Sequence, residues 1–278
     1  AAGELATMTQ LEIEQASSAL YGQYTLSSNL YNLLPAFLPA VAISLIPAIS
    51  VAATRKDHKE VNRVVSASFR LIAVLAIPAG VGLSVMAGPI LQLLYPSQAE
   101  AATAATYHLQ LLGIASIFMC VMLLTNSIMQ AHNKVNWPIC TMFIGGVVKV
   151  AVNYILVGNA DINIKGAPIG TLVCYGLIAL MNLVLVYRIL EEKPSYFGYF
   201  FKPAFASAVM GVACWACFGL VSGFLGEGYL MRALSTMVSI GVAVVIYLVL
   251  VIALRIITRE DLKMIPKGEK IARLLHIR

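Results

Sequence analysis

The stretch from Tyr24 to Ala53, YTLSSNLYNLLPAFLPAVAISLIPAISVAA, holds no charged residue. At about 1.5 Å per helical residue it is longer than a hydrocarbon core of about 30 Å requires. Its first half is rich in hydroxyl and amide side chains, and prolines interrupt its middle and end. Because proline frees backbone carbonyls and lipid offers no water to them, such a span is tolerated only where it packs on protein or lines an aqueous cavity.

The polar residues of this stretch cluster in one half, which favours a cavity over a plain packing helix. Broken helices with polar side chains build the sites of solute carriers. We therefore predict that Tyr24, Asn29 and Asn32 face a solute pathway. The predicted kinks are four prolines of the first two spans: Pro35, Pro39, Pro47 and Pro78. The alternative is a kinked helix that is held only by its neighbours.

Low charge excludes a soluble domain of this size. Of the 278 residues, 60% are hydrophobic and only 12% are charged, and the mean hydropathy is +0.85. This composition predicts an all-α, polytopic membrane protein whose surroundings are the lipid bilayer. The net charge of +6 does not indicate nucleic-acid binding, because the basic residues lie almost entirely in loops on one side of the bilayer.

Seven apolar segments can be drawn, and together they define a transmembrane region over 24–254. They are about Tyr24–Ala53, Arg70–Tyr95, Tyr107–Ala131, Trp137–Gly158, Gly166–Ile189, Pro203–Leu225 and Tyr229–Leu254. The polar residues 1–23 are interpreted as a connecting loop or short helix outside the cell, entered from an upstream part of a longer protein. Residues 255–278 form a basic tail that lies on the anionic cytoplasmic leaflet or is simply solvated.

Positive charges set the predicted orientation. Sixteen of the nineteen Lys and Arg residues fall in loops or tails on one side, two fall on the other, and Lys149 lies inside a span. Under the positive-inside rule the first residue of this chain is then outside and its last residue is in the cytoplasm.

Lys149 lies midway along the fourth segment, one turn before Asn153 on the same helical face. A lysine at the bilayer centre costs about 3 kcal/mol or more unless it meets water, a partner or an anion. No Asp or Glu occurs inside any of the seven segments. We predict that Lys149 awaits an anionic ligand in a cavity or pairs with an acid outside this chain. The alternatives are hydrogen bonds to freed carbonyls, or an ammonium that reaches the membrane interface.

Three further polar residues lie in or near the spans. Arg70 begins the second segment and suits either an interfacial anchor or a ligand contact. Asn126 and Gln130 lie one turn apart on the third segment and could line the same cavity. Hydrogen bonding between helices is the commoner use of such a pair.

Nothing in the sequence argues for catalysis, a metal site or a cofactor. The five cysteines lie in apolar segments, and the C-x-x-C pair Cys214 and Cys217 has no acidic or histidine partner nearby. The four histidines are dispersed, and no P-loop, G-x-G-x-x-G or Ser-His-Asp arrangement is present.

Three stretches carry a resemblance to a known family. They are ALYGQYTLSSNLYNLLPAFLPAVAISLIPAIS, SASFRLIAVLAIPAGVGLSVMAGPILQLLYP and KVAVNYILVGNADINIKGAPIGTLVCY. They resemble MurJ-like lipid II flippases and, still more, stage V sporulation protein B-type polysaccharide exporters. Both belong to the multidrug/oligosaccharidyl-lipid/polysaccharide flippase superfamily.

The resemblance implies a fourteen-helix fold of two six-helix lobes and two extra helices. This chain would then hold helices eight to fourteen, and its partners would be the absent first lobe and an anionic, lipid-linked oligosaccharide. The implied activity is translocation of undecaprenyl-diphosphate-linked precursors across the bacterial cytoplasmic membrane by alternating access, with Lys149 and Asn153 as second-lobe cavity residues. The family's cationic diphosphate-binding residues lie largely in the first lobe and cannot be carried over.

Other functions remain open at this point. A drug or cation antiporter of the same superfamily is the nearest, although a lone cavity cation without an acid disfavours cationic substrates. A seven-helix receptor or retinal protein fits the span count, but the sequence has no lysine in the last span and no D-R-Y or N-P-x-x-Y motif. A purely structural membrane scaffold is the third alternative.

Overall fold

The computed structural model describes residues 9–55, 57–159, 161–226 and 228–256, and these residues form nine α-helices and no β-strand. The all-α prediction is confirmed. The helices are α1 (Gln10–Tyr31), α2 (Leu38–Thr54), α3 (His58–Val85), α4 (Ala87–Leu94), α5 (Ala99–Ala131), α6 (Asn136–Val157), α7 (Gly166–Ile189), α8 (Tyr196–Leu225) and α9 (Tyr229–Ala253). Short 3₁₀ turns lie at Pro35–Phe37, Pro96–Gln98 and Asn163–Lys165.

Six segments of the described chain are long and apolar enough to cross a membrane. They are His58–Val85, Pro96–Ala131, Asn136–Val157, Asn163–Ile189, Tyr196–Phe224 and Tyr229–Ala253. They correspond to the second through seventh predicted spans and make the chain a multi-pass membrane protein.

The first predicted span, Tyr24–Ala53, is not one helix but parts of two. Helix α1 ends at Tyr31, and α2 starts only at Leu38, after the 3₁₀ turn that Pro35 begins. Proline lacks the N–H that would continue the backbone ladder, and it pushes the preceding residue out of the helical region. The count of seven continuous spans therefore becomes six helices and one broken segment.

Residues 10–23, which lie in the stretch interpreted from the sequence as a connecting loop or short helix, are helical and belong to α1. Thr9 and Glu12 form a reciprocal capping box: the Thr9 N–H donates to Glu12 Oε2 at 2.8 Å, and the Glu12 N–H donates to Thr9 Oγ1 at 3.4 Å. Such a box satisfies two of the free N–H groups at a helix start. Residues 1–8 lie outside the described part, as does the predicted tail beyond Ile256.

Three helices begin about two to three turns before the apolar segments that predicted them. Helix α3 starts at His58 rather than Arg70, α5 at Ala99 rather than Tyr107, and α8 at Tyr196 rather than Pro203. Hydropathy marks only the uncharged apolar part of a helix, whereas the early turns of these helices include charged residues such as Lys59, Glu100 and Lys202. At α3, the Asp57 carboxylate accepts a hydrogen bond from the Glu60 N–H at 3.1 Å.

Helix α5 is the centre of the bundle, and it packs against α1, α2, α3, α4 and α7. Two thirds (67%) of its most apolar stretch is buried, compared with 11% of that of α6, which packs mainly on α7. Helices α8 and α9 pair with each other, and α8 also packs on α3. In this last contact the Phe69 ring meets the rings of Tyr196 and Tyr199 at centroid distances of 5.3 and 6.1 Å.

Candidate functional site

Lys149 lies on the stripe of α6 that faces α7. Thr141, Gly145, Lys149 and Asn153 follow each other at four-residue spacing and so share one helical face. Gly145 is packed so closely that a Cβ there would clash with Ile178 of α7, and a Cβ at Gly170 of α7 would clash with Asn153 Oδ1. The intervening Lys149 is half-buried against the same helix.

The surroundings of Lys149 hold no counter-charge. None of the ion pairs or hydrogen bonds among the described residues involves its ammonium, and the buried thiol of Cys174 on α7 lies within its electrostatic reach. One turn on, Asn153 Oδ1 is buried without a hydrogen-bond partner in the described chain. This stripe therefore presents one cation and one free acceptor.

Tyrosines of α1 reach the same part of α7 from another side. The Tyr24 hydroxyl lies 3.5 Å from Thr171 Oγ1. Tyr31 is buried, and its hydroxyl lies beside Tyr175 and close to Cys174 while donating to Met119 Sδ at 3.1 Å. Of the predicted residues, Tyr24, Lys149 and Asn153 are thus brought to one section of α7, between Gly170 and Tyr175. We refer to these three residues and this section as the α7 cleft.

His108 also lies beside this cleft, although the sequence analysis did not select it from the four histidines. It is 1% exposed, its ring meets that of Tyr24 edge-on at 5.9 Å, and its Nδ1 has no hydrogen-bond partner among the described residues. Its position inside the third predicted span was the available signal.

Asn29 and Asn32 do not join the α7 cleft. Both side chains are exposed, and Asn32 closes the C-terminus of α1, where its backbone N–H donates to the Ser28 and Leu30 carbonyls. Both residues lie at the end of α1, next to its break with α2. Tyr24 lies earlier in the helix, where α1 meets α7.

Asn126 lies in a separate network between α5, α6 and α7. Asn182, which is fully buried, donates through Nδ2 to Asn126 Oδ1 at 2.8 Å and to Thr125 Oγ1 at 3.1 Å. Its Oδ1 accepts from Thr141 Oγ1 at 2.8 Å. We call these four residues the amide network. The structure thus gives Asn126 the interhelical bonding that was the alternative, while Gln130 is exposed.

Sequence reasoning missed Asn182, the residue that makes most of this network. An isolated amide in the apolar run ALMNLVLV was the signal, since amides in a bilayer find partners on other helices. Hydroxyl residues such as Thr125 and Thr141 carry no such signal, because a threonine hydroxyl can also donate to a backbone carbonyl of its own helix.

Arg70 lies at a third place, between α3 and α8. Its guanidinium carbon is 5.7 Å from the centre of the Tyr199 ring, and the Tyr199 hydroxyl is 2.7 Å from Ser66 Oγ. This contact belongs to the aromatic cluster around Phe69 and involves neither α6 nor α7.

The four prolines occupy different positions in their helices. Pro35 begins the 3₁₀ turn, Pro39 is the second residue of α2, and Pro47 and Pro78 lie inside α2 and α3. Pro78 cannot donate to the Val74 carbonyl one turn earlier. The Tyr247 hydroxyl of α9 donates to that carbonyl instead, at 2.8 Å. The carbonyl that Pro78 leaves without a backbone donor is therefore hydrogen-bonded within the protein.

Comparison with known proteins adds the evolutionary context. The family model described as "Lipid II flippase MurJ" matches residues 6–239. The chain is 27% identical to the uncharacterized membrane protein YabM of Bacillus subtilis over 96% of this chain and 49% of that protein. It is 24% identical to the lipid II flippase MurJ of the same organism, over 75% of this chain and 39% of that one.

A third relative is the stage V sporulation protein B of B. subtilis, at 22% identity over 90% of this chain and 46% of that protein. The chain spans about half the length of the curated relatives it matches. The resemblance stated from the sequence is confirmed by these matches.

Proposed function

Because the chain belongs to the lipid II flippase MurJ family, whose members are lipid transporters, we propose that it forms the second half of such a flippase. The whole protein would move an undecaprenyl-diphosphate-linked cell-wall or polysaccharide precursor across the bacterial cytoplasmic membrane by alternating access. The absent first lobe would complete the pathway, and the largely exposed α6 is a surface on which it could pack.

The observation that supports this proposal is the unpaired cation of the α7 cleft. Lys149 is half-buried between two membrane helices with no acid beside it in the described chain. Leaving such a charge unpaired costs about 3 kcal/mol or more, a cost that an anionic ligand would offset. A diphosphate is such a ligand, and the Tyr24 hydroxyl of α1 reaches the same section of α7, beside Thr171.

Orientation completes the proposal. With the basic loops in the cytoplasm, the start of this chain is outside and its end is inside. The break between α1 and α2 then lies in the first membrane segment of this half, where an interrupted helix provides a place for the backbone to bend.

The predicted orientation can be tested separately. A cysteine placed at exposed Gln15 should react with an impermeant maleimide in intact cells.

The test of the transport role uses the full-length protein that contains this chain, reconstituted in vesicles with a fluorescent lipid-linked diphosphate. Lys149→Met should lower the flipping rate by about tenfold or more, since it removes a charge-assisted contact. Lys149→Arg should retain most of the rate.

The matched control is Lys165→Met, which removes an exposed lysine near the start of α7. Insertion should be the same for all three variants, and Lys149→Met should not lower thermal stability, because it removes an unpaired charge from the membrane. If Lys149→Met flips the lipid at the normal rate, the α7 cleft is not the diphosphate site. If instead the protein moves cationic drugs and no lipid, it is the antiporter that the sequence left open.

A further inference from the structure

A cavity of about 470 Å³ opens at one end of the bundle, away from the α7 cleft. Its walls come from α4, the start of α5, the start of α9 and one residue of α8. The charge pattern places this end of the bundle outside, among the lipid headgroups. Nothing in the proposed transport function uses this cavity.

The cavity is lined by one charged residue, Arg232, in the first turn of α9. This cation is exposed, at a position that disfavours positive side chains in two ways. Positive side chains are repelled by the positive end of a helix dipole, and they are depleted from external loops. Within the described chain no carboxylate forms an ion pair with it. Glu100, at the start of α5, does not line the cavity, and Glu227, which is close to Arg232 in sequence, lies outside the described residues.

The rest of the lining is divided between hydrogen-bonding and apolar groups. Gln92 and Thr103 stand together, with Gln92 Nε2 donating to Thr103 Oγ1 at 3.3 Å. Leu93 and Phe218 supply apolar walls. The Tyr229 hydroxyl donates to the Leu93 carbonyl at 3.1 Å, which fixes α9 to α4 and so holds the cavity open at a set width.

The starts of two long helices lie at this cavity, since Ala99 of α5 and Tyr229 of α9 both line it. Helix starts favour anions, and phosphate most often. The combination of an arginine, two helix starts and apolar walls suits a ligand that is both anionic and amphiphilic.

We propose that this cavity binds the headgroup of an anionic phospholipid, with its phosphate against Arg232 and its acyl chains running past Leu93 and Phe218. The neighbouring helices α8 and α9 have only 28% of their most apolar stretches buried, so the cavity adjoins the surface that lipid covers. A free phosphate would leave the apolar walls unused, which is why a lipid is the expected occupant.

The experiment uses native mass spectrometry of the full-length protein that contains this chain. The purified protein is mixed with equal amounts of phosphatidylglycerol and phosphatidylcholine, and the lipids that stay bound are counted. Phosphatidylglycerol should be retained about tenfold over phosphatidylcholine, because both carry a phosphate but only phosphatidylcholine adds a choline cation, which Arg232 repels. Arg232→Gln should abolish that preference, and Arg232→Lys should keep most of it.

Lys165→Gln is the matched control, because it removes the other predicted external cation, which does not line the cavity. It should leave the preference unchanged. An equal preference in Arg232→Gln and in the unmodified protein would overturn the proposal. So would displacement of phosphatidylglycerol by inorganic phosphate at the same concentration, because the site would then hold a free anion.

Discussion

Helices α6 and α7 carry two sets of polar residues inside the membrane, and the fold treats them in opposite ways. Near the start of α6, Thr141 bonds to Asn182, and Asn182 bonds in turn to Asn126 and Thr125. Near its end, Lys149 has no partner in the described chain and Asn153 Oδ1 is buried without one. Both sets include residues of α6, so neighbours and not depth alone separate them.

The difference indicates two uses of polarity in a membrane. A satisfied network joins helices, because breaking it leaves polar groups with no water to replace the lost bonds. An unsatisfied set lowers stability unless something else binds to it, and membrane-embedded ionisable groups of this kind are found at functional sites. We therefore interpret the amide network as a packing feature and propose ligand binding only for the α7 cleft.

The largest effect on stability is expected where the amide network loses its centre. Asn182→Leu has a similar volume but removes three hydrogen bonds and leaves Asn126 and Thr141 short of partners. The free energy of unfolding in detergent should fall by about 2 kcal/mol. Asn153→Leu is the matched variant from the other set and should cost well under half as much. Equal losses for the two would erase the distinction between them.

A smaller effect is expected at Pro78, where one hydroxyl replaces a missing backbone donor. Tyr247→Phe leaves the buried Val74 carbonyl unpaired and should lower the free energy of unfolding by about 1 kcal/mol. In a Pro78→Ala background the loss should shrink, because residue 78 then supplies its own N–H to that carbonyl. Denaturation of the four proteins of this double-mutant cycle gives the coupling directly. An additive result would show that the Tyr247 hydroxyl does not compensate for the proline.

The smallest effect on stability is expected for the solvent-exposed capping box at the start of α1. The Thr9 N–H and then its hydroxyl hold the pKa of the exposed Glu12 carboxyl below its ordinary value of 4.5. A lowered pKa means that the cap stabilises the helix start above the ordinary pKa and that this contribution is lost as pH falls through the lowered one. An NMR titration of the Glu12 carboxyl checks the direction. Thr9→Ala should return its pKa toward the ordinary value, and no change in that variant would refute the capping explanation.

The helix starts show how far hydropathy can predict a membrane fold. The apolar parts of six spans were located from the sequence, yet α3, α5 and α8 begin two or three turns earlier. A polar turn at the membrane surface is stabilised by caps such as Asp57 and by its own backbone bonds, neither of which depends on hydropathy. The same limit explains why residues 10–23 were assigned to a loop or short helix.

The candidate site was predictable only in part. Helical spacing placed Lys149 and Asn153 on one face, and the structure keeps them together. Helical spacing could not distinguish Asn126 from these two residues. An amide in an apolar helix gives the same sequence pattern whether or not another helix provides its hydrogen-bond partner. Tyr24 and Asn29 were grouped by their closeness in sequence, but only Tyr24 lies on the side of α1 that meets α7.

The sequence by itself determined that this chain is an all-α membrane protein of the lipid II flippase family, because apolar runs and shared motifs are local properties of the chain. It also determined that Lys149 lies inside a span without an acid on any of the predicted segments. Only the tertiary structure decided which intramembrane polar groups are paired. Pairing depends on contacts between helices distant in sequence, such as that of Asn182 with Asn126 and of Tyr247 with the carbonyl freed by Pro78.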